Sequence, residues 1–496
     1  MRKQQIIRLS LFILMALLPL SYISAQAKLS NLQSFLNKLQ ENPNLKNSAI
    51  SFQLKKVENS EIIAELNPNM NLVPASVMKL INTSAALISL GENYRFKTEI
   101  LHDGFITKDS VLKGNIYIKG YGDPTFCTPR WKTTQQEAIF QNWTKSLKAK
   151  GINKIEGEII ADISLFQKEQ VSPLWQWSDV GNTYGAGASA INFNSNQIEI
   201  FLKSDSKIGD TTKIDSIFPF PYGLNIVNNV RIEKIGSGNN SMAYVNHFDG
   251  NFFLEGSIPV SSKQTILKAA LPKPEFVFIS YLDEFFNANG IKTENKLSVL
   301  HEEEDIEASS KRVLISTHYS PSLTYIIPLI NRFSNNIYAE ALFKSLGLKH
   351  FKTASYETGS SAVQMLIRRL NIGVEEVIIA DGSGLSRNNA VNAAFFCNLL
   401  EHMIKSKHKD IFYYSMSEAG KSGTLRNMFR KRAVAQRPIV YAKSGSMQGV
   451  RAYAGYIYNS KKEILTFAAI VNNYKCKGED IRDIVEELLI LASKTE

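Results

Sequence analysis

The 496-residue chain has only three cysteines, Cys127, Cys397 and Cys476, which are far apart and odd in number. None forms a C-x-x-C pair or a Cys/His grouping with metal-ligand spacing, so a structural zinc or redox-pair reading has no residues to rest on. A domain of this size needs no disulfides, and at most one is expected. Cys397 lies in Ala393-Ala394-Phe395-Phe396-Cys397 and reads as a core residue. The seven histidines form no cluster by spacing, and no H-E-x-x-H or G-x-S-x-G occurs, so zinc-peptidase and hydrolase-elbow chemistry lack their motifs and no metal or cofactor is called for. A dense basic stripe, the footprint of a nucleic-acid binder, is also missing. So are tandem repeats and low-complexity segments. Beyond residue 27 no apolar run reaches the length of about 20 residues that a membrane helix needs. The acidic run Glu302-Glu303-Glu304-Asp305 reads as a solvated linker rather than a cation site.

What is present begins with a leader. Arg2, Lys3 and Arg8 precede the short apolar stretch Leu9 to Leu20, and Ser24-Ala25-Gln26-Ala27 supplies small residues for cleavage. Residues 1–27 therefore read as a secretory signal peptide rather than an anchor. With no cysteine at the cleavage site, a lipoprotein anchor is not expected. The formal charge of +11 stays positive after the leader is removed. That balance suits an exported protein working in the cell envelope or periplasm, near an anionic polymer or in peripheral contact with a membrane surface.

The most informative stretch is Ser76-Val77-Met78-Lys79. On a helix, positions i and i+3 share a face, so Lys79 Nζ can lie against Ser76 Oγ. A first-turn serine also meets unpaired N–H groups and a helix dipole that favour developing negative charge. A lysine kept neutral by burial can take the hydroxyl proton. Chance supplies S-x-x-K often, so the pair needs partners downstream.

The pattern around it divides the chain. Ile50, Phe52 and Leu54 alternate with polar residues, and Ile62 to Leu66 follows after a turn, which predicts a hairpin. Leu80 to Leu90, stopped by Gly91, predicts a helix buried nearly all round. From 96 to 305 short β-like runs recur between Gly, Asn, Asp and Ser, predicting an inserted β-rich region of one or two domains. Within it, Trp175-Gln176-Trp177-Ser178-Asp179 and Asn182 to Gly187 form an aromatic, glycine-rich loop. That loop either lines a groove for a sugar or peptide or packs at a domain seam. Helical spacing returns after 306, followed by β runs at Ile439 to Ala442, Ala452 to Tyr458 and Leu465 to Asn472 and a last helix at Asp480 to Ser493.

Ser334-Asn335-Asn336 lies between two helical segments. Either its first and third side chains face a cleft, or it is simply a turn or N-cap. A Lys-Ser-Gly triplet occurs twice, at Lys421-Ser422-Gly423 and Lys443-Ser444-Gly445. Lys443 ends a β run with two more strands behind it, whereas Lys421 sits before a loop and helix. An edge strand beside the nucleophile is what the chemistry needs, so Lys443 is the choice, with Gly445 letting substrate approach the backbone.

S-x-x-K, S-x-N and K-S-G in this order resemble the motif set of the penicilloyl-serine transferases, which comprise β-lactamases and penicillin-binding proteins. The resemblance extends to His318-Tyr319-Ser320-Pro321-Ser322-Leu323, Asp381-Gly382-Ser383-Gly384-Leu385-Ser386-Arg387, Gly423-Thr424-Leu425-Arg426 and Gly122-Asp123-Pro124-Thr125. On these residues the chain is similar to the class C low-molecular-mass penicillin-binding proteins, the D-alanyl-D-alanine carboxypeptidase/endopeptidases. About half the chain lies between Lys79 and Ser334, and in that class extra domains are inserted there. The resemblance implies an α+β fold with a transpeptidase-like domain, an antiparallel sheet flanked by helices, built from 28–95 plus 306–496. It implies peptidoglycan stem peptides as substrate, β-lactams as inhibitors and no cofactor. Ser76 would be the nucleophile, Lys79 the base, Ser334 either the alternative base or a relay, and Asn336 a peptide-positioning group. Lys443 and Ser444 would bind the terminal carboxylate, with Lys443 also helping to keep Lys79 neutral. The N–H groups of Ser76 and Ser446 would form the oxyanion hole. Ser444 stands where the family usually has threonine, which keeps the hydroxyl. His318 is expected to be structural, while Arg387 and Arg426 are candidates for an acidic stem-peptide side chain. A β-lactamase, or a retired wall-binding homologue, would carry the same motifs. The lifetime of a β-lactam adduct and the release of D-Ala separate these readings.

Overall fold

Ile50, Phe52 and Leu54 all lie on one face of the strand Ala49–Lys56, and all three are buried. A computed structural model describes residues 31–302, 311–373 and 377–496. The leader 1–27 and Glu303 to Asp305 of the acidic run lie outside the described residues. Ala49–Lys56 pairs with Ile62–Leu66 on one side and with Ile464–Asn472 on the other, all antiparallel. Val450–Tyr458, Val440–Met447 and Ser417–Glu418 complete a six-stranded sheet on that side. The two ends of the chain are thus joined edge to edge, with Ile50 opposite Val471.

Both faces of this sheet are covered, so its central strands are buried almost throughout. Successive side chains still go to opposite faces. Tyr453, Ile457, Phe467 and Val471 pack with the helices Asn31–Lys38 and Gly478–Ser493. Ala452, Ala454, Tyr456 and Ile470 join the larger core around the helices Met78–Leu90, Asn336–Phe351 and Ala393–Lys405. Each fully buried Leu, Ile or Phe contributes roughly 2 kcal/mol of hydrophobic stabilisation. Cys397 is in this core, and its thiol donates to Gln53 O. All three cysteines are free. Among the described residues no helix is long and apolar enough to cross a membrane.

The inserted region is less purely β than its sequence pattern suggests. A five-stranded mixed sheet runs in the order Leu297–Leu300, Ile159–Asp162, Ile116–Gly120, Lys97–His102, Val313–Tyr319. Two long helices, Gln136–Ala149 and Pro274–Ala288, pack with it. The second of these contains Phe, Val, Ile and Tyr in close succession, residues with high strand propensity. Packing overrides that propensity, because Phe278 places its ring 5.1 Å from Phe126, 5.8 Å from Phe140 and 6.0 Å from Phe193. Further three-stranded sheets form around Val111–Lys113, Gln197–Ser204 and Asn251–Glu255, and Arg231–Glu233 pairs with Ser257–Pro259. The expected boundary at 305/306 needs correction: Val313–Tyr319 pairs antiparallel with Lys97–His102 and so belongs to the inserted sheet.

The aromatic cluster around Phe278 carries the insert. Phe278→Ala is expected to cost about 3–5 kcal/mol, seen as a lowered midpoint in thermal unfolding, with a clearly smaller loss for the half-buried Phe285→Ala.

Candidate active site

Pro74 leads into a single 3-10 turn, Ala75–Val77, which runs directly into the helix Met78–Leu90. Ser76 sits in that turn, one step before the α-helix proper. Ala75 before it has φ +45°, a left-handed backbone that a non-glycine residue rarely adopts. The turn is held in place from two sides. A Cβ on Gly384 would lie 1.9 Å from Ala75 O, and one on Gly445 would lie 2.5 Å from Pro74 O and 2.9 Å from Ser76 N. Gly445 is buried. Its missing side chain therefore lets the Ala75–Val77 turn approach the strand closely.

Lys79 is fully buried, and its Nζ lies 3.0 Å from Ser76 Oγ, 2.7 Å from Asn336 Oδ1 and 2.6 Å from Ser383 O. Burial pushes its pKa down to about 7, against the pull of the Glu340 and Asp381 carboxylates. A neutral amine has two N–H groups, enough for Asn336 and Ser383, and its lone pair then faces the Ser76 hydroxyl. Glu340 is held by the N–H groups of Ser383 at 2.8 Å and Gly382 at 3.1 Å, and burial followed by the Asp381 charge raises its pKa to about 8.

Lys443 is also fully buried. It donates to Ser334 Oγ at 3.0 Å and to Ser444 O at 2.7 Å. Burial, then the Lys79 charge, holds it well below the usual lysine range. Burial is the largest cause of the lowered pKa of both lysines, and a charge on either one disfavours a charge on the other. Ser444 Oγ donates to Thr424 Oγ1 at 2.8 Å. Ser446 is exposed and lines the cleft beside Ser76.

Ser334-Asn335-Asn336 realises both readings at once. Asn335 caps the helix Asn336–Phe351 by accepting from Tyr338 N, while Ser334, at φ +61°, and Asn336 line the cleft. The other triplet stays outside. Lys421 is exposed and paired with Glu418. What that segment contributes instead is Thr424.

The cleft has a volume of about 440 Å³, and one of its walls comes from the insert, through Gln176, Ser178, Asp179 and Tyr184. Arg387 lines it too, with Nη2 donating to Gln448 O at 3.1 Å. Arg426 is exposed outside this lining. The aromatic loop does both things its sequence allowed. Asn336 Nδ2 donates to Tyr184 O at 2.7 Å within the groove. Trp175 is buried at the seam, with Nε1 donating to Asp381 Oδ2 at 2.8 Å. Asp381 also accepts from the N–H groups of Gly384 and Ser386, so one carboxylate shapes the whole 381–387 loop. Lys344 fastens the loop from below, donating to Glu169 O, Gln170 O and Ala188 O at 2.9, 3.2 and 2.9 Å over the Tyr356 ring. His318 lies partly buried beside Phe126 and Asp123, with desolvation lowering its pKa to about 4, in keeping with a structural role.

Residues 32–495 match the D-Ala-D-Ala carboxypeptidase 3 (S13) family. The chain belongs to this family. It is a serine-type D-Ala-D-Ala carboxypeptidase, and hence a hydrolase, of the class C penicillin-binding group. One relative, "D-alanyl-D-alanine carboxypeptidase DacB" of Haemophilus influenzae, is 25% identical over 453 residues, covering 90% of this chain and 88% of its own. The crystal structure of penicillin binding protein 4 (dacB) from the same organism covers 94% of this chain and all of its own, with a TM-score of 0.80 at 24% identity. Its complex with a β-lactam superposes with a TM-score of 0.76 at 22% identity, over 94% of this chain and all of that one. The S13 fold thus accounts for the six-stranded sheet and the helices around it.

Glu340, Thr424 and Lys344 were not singled out from sequence as site residues, whereas Trp175 and Tyr184 lie in the loop read there as groove wall or seam. Glu340 had a signal, since it lies four residues after Asn336 on one helix and shares its face. The others owe their places to tertiary contacts. Removing Lys344 would leave three carbonyls without their shared donor, at about 1–3 kcal/mol for each one left buried and unpaired. Lys344→Met is expected to lower the thermal midpoint and to open 169–188 to limited proteolysis, whereas Lys349→Met, exposed on the same helix, leaves both unchanged.

Proposed function

We propose that Ser76 is the nucleophile of this D-Ala-D-Ala carboxypeptidase, with Lys79 as its base. The observation that carries the reading is the buried Lys79 amine with Ser76 Oγ 3.0 Å away and its other partners already in place. Ser76 Oγ attacks the carbonyl of the penultimate D-Ala while its proton passes to Lys79 Nζ. The N–H groups of Ser76 and Ser446 stabilise the oxyanion, an arrangement worth about 3–4 kcal/mol per donor where it has been measured. On collapse the C–N bond breaks, and the departing D-Ala amine takes a proton from Lys79 through the Ser334 hydroxyl. Water then attacks the ester, gives up a proton to the same base and frees Ser76. Lys443, Ser444 and Thr424 form the cradle for the terminal carboxylate. Lys443 is depressed in the free enzyme, and an entering carboxylate supplies the charge that lets it hold a proton.

The catalytic part comprises 28–95 and the chain from Ser320 onward, and the insert furnishes one wall of the cleft. Asp179 and Arg387 both line that cleft, which suits a stem-peptide side chain bearing an amino group and a carboxylate. Room for such a branch supports cleavage of cross-links as well as free termini. Residues 1–27 carry the export signal, so the site of action is the periplasm or cell envelope. β-Lactams are inhibitors on this reading, which the complex of the Haemophilus influenzae relative supports.

A β-lactam is expected to leave a covalent adduct on the wild-type protein, seen by mass spectrometry, and none on Ser76→Ala. Lys443→Ala should reduce D-Ala release from a pentapeptide at least about a hundredfold, while Lys421→Ala keeps nearly full activity; the reverse would overturn the choice of triplet. The pH dependence has a definite sign. Lys79 is protonated below its pKa of about 7 and then has no lone pair. The acylation rate should therefore drop about tenfold per pH unit below that point and level off above it.

A further inference from the structure

A second cavity, of about 320 Å³, is lined only by residues between 163 and 301, all in the insert. Four elements meet at it, one of them the strand Leu297–Leu300, which brings Val299 and, just past its end, His301. The segment after the strand Ile159–Asp162 brings Phe166 and Lys168. The turn between Met242–Val245 and Asn251–Glu255 brings Phe248, and the start of the helix Pro274–Ala288 brings Lys273, Glu275 and Phe276. No residue of the proposed acyl chemistry lines it.

The charges there are lopsided. Lys168, Lys273 and His301 converge closely enough that both lysines, after burial, hold the His301 pKa down. Among the described residues, the acidic groups facing them are Glu302, which acts on His301 in the opposite sense, and Glu275. Glu275 is buried, accepts from Ser189 Oγ at 3.2 Å and is pushed up to about 7 by burial, so it offsets little of the positive charge. Lys273 is itself unusual. It occupies the N-cap of a 15-residue helix at φ +50°, where glycine or asparagine is less strained, and donates to Asp249 O at 2.8 Å. The walls are flat and apolar, with Phe166, Phe276 and a Phe248 that is 63% exposed. A bare inorganic anion would leave that aromatic surface unused.

We infer that this cavity binds a carboxylate-bearing sugar–peptide piece of the cell-wall polymer. The carboxylate would lie against Lys168, Lys273 and His301, and the sugar or peptide body across Phe248 and Phe276. The identity of this ligand rests on the proposed function, since the enzyme's substrate is that polymer. Residues 163–189 line the cavity at one end and carry the cleft wall, so the two openings share one segment of chain and suit two parts of one polymer.

The test uses the full chain, with N-acetylmuramyl-L-alanyl-D-isoglutamine as the probe, titrated calorimetrically before and after acylation by benzylpenicillin. The probe lacks D-Ala-D-Ala and is expected to bind equally well in both states. Lys168→Glu and Lys273→Gln are each expected to weaken it roughly tenfold while D-Ala release from a short pentapeptide stays within about twofold. Lys168 is exposed, so its replacement is the safe variant should Lys273→Gln fail to fold. N-acetylglucosamine, which has no carboxylate, should bind at least about tenfold more weakly. Loss of probe binding on acylation, undiminished binding by Lys168→Glu, or equal binding of the neutral sugar would each overturn the inference. Failure of benzylpenicillin to form an adduct would count against the Ser76 reading instead, and the Lys168→Glu comparison would still decide the cavity.

Discussion

The site depends on keeping one amine out of water. Lys79 is buried completely, and a charged ammonium there would lose its hydration shell. Two carboxylates, Glu340 and Asp381, stand near enough to return part of that loss. The balance brings the amine to neutrality near physiological pH, the condition under which a lysine can act as a base. Every neighbouring element serves this balance. Asn336 and Ser383 fix the position of Nζ, and the 381–387 loop hangs on Asp381. The Lys443 strand closes the other side through the close approach at Gly445. A second depressed lysine beside the first, Lys443, places two amines that gain or lose protons according to what enters the cleft.

The insert therefore cannot be regarded as an appendage. Trp175 gives its indole N–H to the same carboxylate that orders the 381–387 loop, and Tyr184 supplies a carbonyl to the amide of Asn336. Lys344 reaches from the Asn336 helix into the insert and gathers three backbone carbonyls on one nitrogen. These contacts tie the cleft wall to the helix that carries the site's asparagine, so a displacement of either is felt by the other.

Much of this was legible in the sequence, for local reasons. Ser76 and Lys79 are three apart, a relation that survives the change from a 3-10 turn to an α-helix between them. Ser334 and Asn336 flank a capping residue, so the cap and the cleft are two uses of one turn. Lys443 could be separated from Lys421 because a β run precedes it and two more strands follow. What stayed hidden depends on contacts between distant segments. Thr424 meets Ser444 only because a loop folds against the edge strand, and nothing near Gly445 in sequence shows that the Pro74–Ser76 backbone lies beside it. The helix Pro274–Ala288 was obscured by its own aromatic residues, whose strand preference yields to the cluster around Phe278. The strand Val313–Tyr319 follows the insert's last segment in sequence yet pairs back with its first strand.

The pairing of Ala49–Lys56 with Ile464–Asn472 has a consequence for how the molecule comes into being. The serine's helix is made before the insert, but the sheet that backs it is completed by strands that follow the insert. Contacts between such remote segments form slowly, because a long loop must close before they are rewarded. A growing chain holds Ser76 and Lys79 without the strand that carries Lys443. The proposed site is thereby incomplete until the strand Val440–Met447 has arrived, a timing built into topology alone.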